Sequence, residues 1–68
     1  MMFQISDLVR LSGRPSCYGI WRGEDPNRRG YIVIYWLAHD FHPNYVGRNI
    51  SHDLYLRGHL EKINVQEG

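Results

Sequence analysis

The clearest hydrophobic pattern in the chain is the stretch YIVIYWLA, residues 31–38. A half-buried strand alternates apolar with polar positions, but this segment is apolar or aromatic on both faces. One face lacks hydroxyl groups and is predicted to point into the core; it carries Ile32, Ile34 and Trp36. The other face includes two tyrosines, whose hydroxyls require water or a partner; it carries Tyr31, Val33, Tyr35 and Leu37. The pattern predicts a strand whose second face must be covered by something.

The rest of the pattern predicts short strands separated by Gly- and Pro-rich connections. Strands are predicted over residues 5–11, 17–22 and 60–65, with a short strand or helical turn over 51–55. Gly19 interrupts the second strand, and an interior glycine often marks a bulge or a bend. Residues 12–16 and 23–30 are predicted loops, the second with a turn at Pro26. Residues 39–49 are predicted to form a loop anchored by Phe41 and Tyr45.

Four to five short strands with little helix predict an all-β or mainly β fold. A chain of 68 residues forms at most one domain, here residues 1–68. It buries only roughly 60% of the surface of its unfolded form. Sheets this short curl or close to protect their edges, and a small SH3-like barrel does so at this length.

Four segments along the chain carry a resemblance: SDLVRL, YGI, GYIVIYW and SHDLYLRGHLEKI. In this order they resemble the small SH3-like barrel proteins of tailed bacteriophages, cyanophages among them, most of which are uncharacterised. Those proteins open with a Gly-Asp-Leu-Val-like strand, and Ser6 replaces the usual glycine here; YLRGH lengthens the closing segment. The resemblance spans residues 5–63. It implies a barrel fold and a phage source, with a place in the virion or in the cytoplasm of the infected bacterial host, and no catalytic residues.

Composition favours contacts with another macromolecule over catalysis. The net charge is +1, without the basic excess that is usual in nucleic-acid-binding domains. Seven of the eight basic residues are arginine, and aromatic residues make up 13% of the chain; Tyr, Trp and Arg are enriched at interface hot spots. No apolar run is long enough to cross a bilayer as a helix, and the N-terminus lacks a secretory pattern. We therefore expect neither a membrane partner nor secretion.

The residues that could carry chemistry form no complete catalytic or metal site in the sequence. HDFH provides two histidines, His39 and His42, and a zinc site would also need His52 or His59 to fold back beside them. Cys17 is predicted to be a small core residue, since it is the single cysteine and lies beside Tyr18. No phosphate-cradling glycine loop is present. We expect no enzyme activity, no metal, no cofactor and no small-molecule substrate.

Two binding hypotheses remain. The first is a protein-interaction module, a virion component or a small factor docking on a phage or host protein or on a second copy. Its predicted contact residues are Trp21, Tyr31, Val33 and Tyr35. The competing interpretation of this face is that the loop 39–49 covers it. The second hypothesis is a nucleic-acid-binding barrel that uses the arginines around one hairpin loop: Arg22, Arg28 and Arg29. Glu24 and Asp25 in the same loop partly cancel that charge.

Overall fold

The computed structural model describes residues 3–63. In chain order the elements are β1 (Leu8–Leu11), β2 (Arg14–Glu24), β3 (Tyr31–Ala38), the 3-10 helix η1 (Pro43–Tyr45), β4 (Asn49–Asp53), the 3-10 helix η2 (Leu54–His59) and β5 (Leu60–Lys62). All strand pairs are antiparallel, and the strands form one sheet in the order β4-β3-β2-β1-β5. The predicted fold class is confirmed: over residues 3–63 the protein is mainly β, with five antiparallel strands in one sheet and little helix.

β3 lies between two strands and has the bounds that the sequence predicts. Its predicted inner face is confirmed, because Ile32, Ile34 and Trp36 are each 0% exposed. They form the core with residues from β1, β2 and β5: Val9, Cys17, Trp21 and Leu60. Full burial of one large apolar side chain stabilises the folded state by about 1.5–3 kcal/mol. The seven buried residues together stabilise this small core.

β2 is longer than predicted, because the predicted loop 12–16 is a tight turn. Gly13 has a φ of +76°, which brings Arg14 opposite Leu11 and lets β2 pair with β1 from its first residue. The β2–β3 connection is two residues shorter than the predicted loop 23–30, because β2 continues through Glu24, but the predicted turn at Pro26 is present. The Asp25 carbonyl accepts a hydrogen bond from the Arg28 N–H (3.3 Å), and the Asp25 carboxylate accepts one from the Asn27 N–H (2.9 Å).

The predicted irregularity at Gly19 is confirmed. The register between β2 and β3 shifts between Tyr18 and Gly19, and Gly19 lies opposite Trp36. A Cβ atom at Gly19 would overlap the Tyr35 carbonyl oxygen and lie 3.0 Å from the Trp36 Cα. The two strands approach closely at this point because the glycine has no side chain.

β1 begins three residues later than predicted, because a turn precedes it. The Asp7 N–H donates to the Gln4 carbonyl (2.9 Å), and the Asp7 carboxylate accepts from the Gln4 N–H (2.8 Å). Ser6, inside this turn, has a φ of +82°. This backbone conformation favours glycine over serine.

We expect Ser6→Gly to stabilise the protein. The left-handed conformation costs a non-glycine residue about 1–2 kcal/mol, and glycine loses part of that gain through its larger unfolded-state entropy. A net gain of about 0.5 kcal/mol raises the melting temperature by about 2–4 °C in a domain of this size. Thermal unfolding followed by circular dichroism measures it. Ser6→Ala is the control, since it retains the backbone cost; an equal gain from both substitutions would rule out this explanation.

Residues 49–59 contain both of the alternatives predicted for residues 51–55. β4 covers the strand, and η2 starts directly after it, with the Asp53 carboxylate accepting a hydrogen bond from the Tyr55 N–H (2.9 Å). β5 begins at Leu60, as predicted, and ends at Lys62. The last two residues of the predicted strand, 64 and 65, lie outside the described residues.

Candidate functional site

The side of the sheet that points away from the core is rich in apolar side chains. We call this surface the outer face; it comprises Leu8, Tyr18, Ile20, Val33, Tyr35 and Leu37. Their orientation follows from strand alternation, since their neighbours Val9, Cys17, Trp21, Ile34 and Trp36 are buried. Tyr18 and Leu37 are 37% and 40% exposed, and the other four are half-buried. The outer face is therefore partly exposed to solvent, most at Tyr18 and Leu37.

Strand pairing makes the outer face continuous. Tyr35 on β3 lies opposite Ile20 on β2, and Ile20 lies opposite Leu8 on β1. Directly paired residues have their Cβ atoms about 4.5–5.5 Å apart, so these three side chains form a row across three strands. On β4 the residues opposite Tyr31, Val33 and Tyr35 are polar: Asp53, Ser51 and Asn49. The apolar side chains of the outer face are thus bordered by polar residues on β4.

The loop 39–49 packs elsewhere. Tyr45 packs against the core, and its ring contacts are with three histidines: His39, His42 and His52. Phe41 is 57% exposed, next to His39 and beneath the Arg14 guanidinium. Both anchors lie beside Trp36, on the inner side of β3. Their aromatic contacts therefore close the end of the core and leave the outer face open.

Trp21, which the sequence predicts to contact a partner, does not belong to the outer face and offers a partner little surface. Trp21 is only 5% exposed and lies opposite Ile34, which points into the core. Its ring is 5.0 Å from that of Phe3, which covers it. The sequence places Trp21 beside the arginines of the hairpin, but strand alternation turns its side chain inward.

The hairpin arginines are exposed, and acidic groups accompany them. The Arg28 guanidinium stacks on the Tyr31 ring at 3.7 Å, so this end of the predicted interaction surface is partly covered. Asp25 accepts a hydrogen bond from Ser51 (2.7 Å); that bond, the Asn27 N–H and the charge of Arg28 lower the Asp25 pKa. Asp25 is therefore ionised at neutral pH, and the loop carries balanced charge rather than a basic patch.

A second feature lies at the end of the core, where six rings surround a small cavity. We call it the ring pocket; its rings belong to Trp36, His39, Phe41, His42, Tyr45 and His52. The cavity has a volume of about 260 Å³. His42 and Tyr45 stack nearly parallel, with centroids 4.4 Å apart. Trp36 contacts His39 and His52 edge-on, at 4.7 and 5.7 Å, and forms the floor.

Hydrogen bonds determine which nitrogen of each inner histidine carries the proton. The Trp36 indole N–H donates to Nε2 of His52 (2.9 Å), so the proton of neutral His52 is on Nδ1. The His42 backbone N–H donates to Nδ1 of His39 (3.1 Å), so the proton of neutral His39 is on Nε2. Burial lowers the pKa of both rings, and charge on the neighbouring histidines lowers it further, while Asp40 opposes the shift at His39. Both rings are therefore neutral at pH 7.

The histidines come together as the sequence suggested for His52, but not in a metal-binding arrangement. Among residues 3–63, no three His, Cys, Asp or Glu side chains form a group that could hold a metal ion. Cys17 is buried, and its sulfur accepts a weak hydrogen bond from the Asp40 N–H (3.5 Å). The Asp40 carboxylate accepts from the Ser16 hydroxyl. His59 contacts a different residue: its ring lies 4.7 Å from that of Tyr55.

Comparisons of the chain with protein-family models, with curated proteins and with solved structures match nothing. In the described part of the chain, no helix has the length and apolar character needed to cross a membrane. The structure thus provides two candidate surfaces, the outer face and the ring pocket. The sequence indicated three of the six residues of the outer face, namely Val33, Tyr35 and Leu37. Of the ring pocket it indicated only that the histidines could come together.

Proposed function

We propose that this chain is a non-enzymatic protein-interaction module that binds its partner through the outer face. The observation that carries the proposal is the row of Leu8, Ile20 and Tyr35, side by side across three strands on the side away from the core and only half-buried. A small domain gains most of its stability by burying apolar groups. Leaving such a row outside the core is costly unless a partner covers it.

The composition of the outer face fits a protein partner. Interfaces have an apolar core with a polar rim, and tyrosine is enriched among the residues that contribute most to binding. Tyr18 and Tyr35 present large rings with hydroxyls that can bond across an interface. The polar residues of β4, beginning with Asn49 opposite Tyr35, supply the rim on one side. Ile5, 67% exposed and close to Gly23, adds apolar surface beside Val33.

The phage resemblance supports the setting in which such a module acts. A phage source makes a virion protein or a host protein the natural partner. The chain is then a virion component or a small factor in the cytoplasm of the infected bacterium. Mass spectrometry of purified particles separates these roles, since only a virion component co-purifies with the particle.

We expect Tyr35→Ala to weaken partner capture strongly. Truncation of a central interface tyrosine costs about 2 kcal/mol or more, which lowers affinity about 30-fold. The tagged wild type and the variant are used to capture proteins from the cells that make the chain, with quantitative mass spectrometry of what is retained. Tyr55→Ala is the matched control, because Tyr55 is 75% exposed and lies on η2, outside the outer face.

Folding of each variant is checked by circular dichroism. Leu37→Asp, at a position 40% exposed, provides a second test that removes little core packing. A partner that is retained equally by the wild type, Tyr35→Ala and Leu37→Asp would refute the proposal. Light scattering identifies self-association: a dimer that both variants convert to monomer assigns the outer face to a second copy of the chain.

Nucleic-acid binding through Arg22, Arg28 and Arg29 stays the alternative prediction. The Arg28–Tyr31 stack is its structural support, and the ionised Asp25 beside it weakens the local positive potential. Electrostatic binding of nucleic acid is strongest at low salt. A gel-shift titration at low ionic strength therefore decides this alternative, and the absence of any complex there refutes it.

A further inference from the structure

The ring pocket has the features of a ligand site, and neither the outer face nor the hairpin includes it. Its walls are rings from the end of β3, the loop 39–49 and β4, together with Leu11 of β1 and Leu56 of η2. Phe41, which contributes one wall, is 57% exposed, although a large aromatic side chain gains more by burial. A cavity of about 260 Å³ holds one planar ring system rather than a large ligand.

The pocket offers ring faces for stacking. His42 and Tyr45 already form a nearly parallel pair, at an interplanar angle of 22°. A third planar ring can extend such a stack, whereas Trp36, which is fully buried, serves only as the floor. Bases stack on aromatic side chains in this way in proteins that bind single strands, and each base contributes about 1–3 kcal/mol.

The pocket also offers hydrogen-bond donors. Nδ1 of His52 and Nε2 of His39 carry protons, as argued above, and neither donates to another side chain or backbone group among residues 3–63. Every buried side-chain nitrogen or oxygen in that range has a partner, so these two N–H groups are accessible to solvent. They suit a ring that carries acceptors. An aromatic or proline side chain would leave them unpaired at a cost.

The rim of the ring pocket carries a positive charge that could bind an anionic group of the ligand. The Arg14 guanidinium lies over the Phe41 ring, 4.1 Å from its centroid, at the edge of the pocket. No carboxylate lines the cavity, and the Asp40 carboxylate, next to His39 in the chain, accepts a hydrogen bond from Ser16. Arg14 can therefore pair with an anion that is attached to the ring ligand, and arginine matches phosphate geometry well.

We propose that the ring pocket binds an unpaired nucleotide, whose base stacks on the His42–Tyr45 pair and whose phosphate pairs with Arg14. The base accepts hydrogen bonds from His39 and His52. A single strand and a free nucleotide present the same chemistry. The exposed position of Phe41 favours a single strand, since its neighbouring bases have room to continue outside the cavity.

Nuclear magnetic resonance tests the proposal on the intact chain. The Trp36 indole N–H and the ring protons of the pocket histidines are followed while a single strand of about eight nucleotides, or adenosine monophosphate, is added at low salt. We expect these signals to shift with the single strand. Phe41→Ala weakens binding about fivefold or more, the loss of one stacking contact. Saturation by the mononucleotide at equal affinity would identify a free nucleotide as the source.

Matched controls separate the pocket from other surfaces. Arg14→Gln removes a positive charge at the pocket rim, and Arg29→Gln removes one on the hairpin. Only Arg14→Gln is expected to weaken nucleotide binding. Tyr55→Ala and Tyr35→Ala are expected to leave nucleotide binding unchanged, so this test does not depend on the outer face. Pocket signals unmoved by either nucleotide ligand overturn the proposal. Equal weakening by the two arginine substitutions overturns it as well, as does a shift caused only by a proline-rich peptide.

Discussion

Gly19→Ala is expected to unfold the protein or to leave it mostly unfolded at 37 °C. The new Cβ would overlap the Tyr35 carbonyl oxygen and crowd the Trp36 Cα and the Ile34 side chain. The first two obstacles are backbone atoms, so β2 and β3 must separate where they flank the core. Over-packing costs about 1–3 kcal/mol when side chains can adjust, and a backbone obstacle places this substitution at or above that range. A domain of this size has only about 3–5 kcal/mol to lose.

Gly58→Ala is the matched control. No atom lies within 4 Å of the Cβ position at Gly58, and its φ is outside the left-handed region. The same change there is expected to be neutral or to stabilise the protein by about 0.4–1 kcal/mol through the unfolded state. Urea unfolding followed by circular dichroism compares the two variants. Equal midpoints would mean that β2 and β3 are not in close contact at Gly19.

Trp36→Ala is expected to have a comparable effect. The Trp36 side chain is the largest that is fully buried, and its indole N–H holds His52 in place. Truncation of a buried Phe or Trp to alanine costs about 3–5 kcal/mol, because transfer energy is lost and a cavity remains. His52 would also lose its donor. We expect the variant to lack a cooperative thermal transition, measured by circular dichroism.

Trp36→Phe distinguishes volume from hydrogen bonding. Phenylalanine restores much of the apolar surface but no donor for Nε2 of His52, so its stability is expected to fall between those of the wild type and Trp36→Ala. Tyr55→Ala, at a 75% exposed aromatic position, is expected to change the unfolding midpoint little. A Trp36→Ala protein as stable as the wild type would contradict the central place of Trp36 in the core.

The central strand could be predicted from local pattern alone, and the ends of its neighbours could not. The sequence predicts both bounds and the inner face of β3 correctly, since hydrophobic, β-branched and aromatic residues dominate YIVIYWLA. β2 extends into SGRPS, where composition indicates a loop, because pairing with β1 outweighs local propensity. β1 starts late because Ser6 adopts a positive φ, which no propensity for serine suggests.

The candidate surfaces depend on tertiary contacts, which limits what sequence can predict. The alternation of β3 correctly separated Ile32 from Val33, but the row across the sheet needs the register that pairs Tyr35 with Ile20. The sequence predicts Trp21 as a contact residue, but strand alternation in β2 turns its side chain inward. The ring pocket joins residues from β3, the loop after it and β4. Its only local signal was the ring-rich segment HDFHPNY.

The burial of Cys17 provides a probe of how the fold opens. It is the single cysteine of the chain, and its side chain is 0% exposed in the middle of the core. A thiol reagent can modify it only in molecules whose core has transiently opened, and the thiolate reacts quickly once free. When reclosing is faster than modification, the labelling rate is proportional to the population of the open form. The native chain thus reports its own opening free energy, without an introduced label and without denaturant.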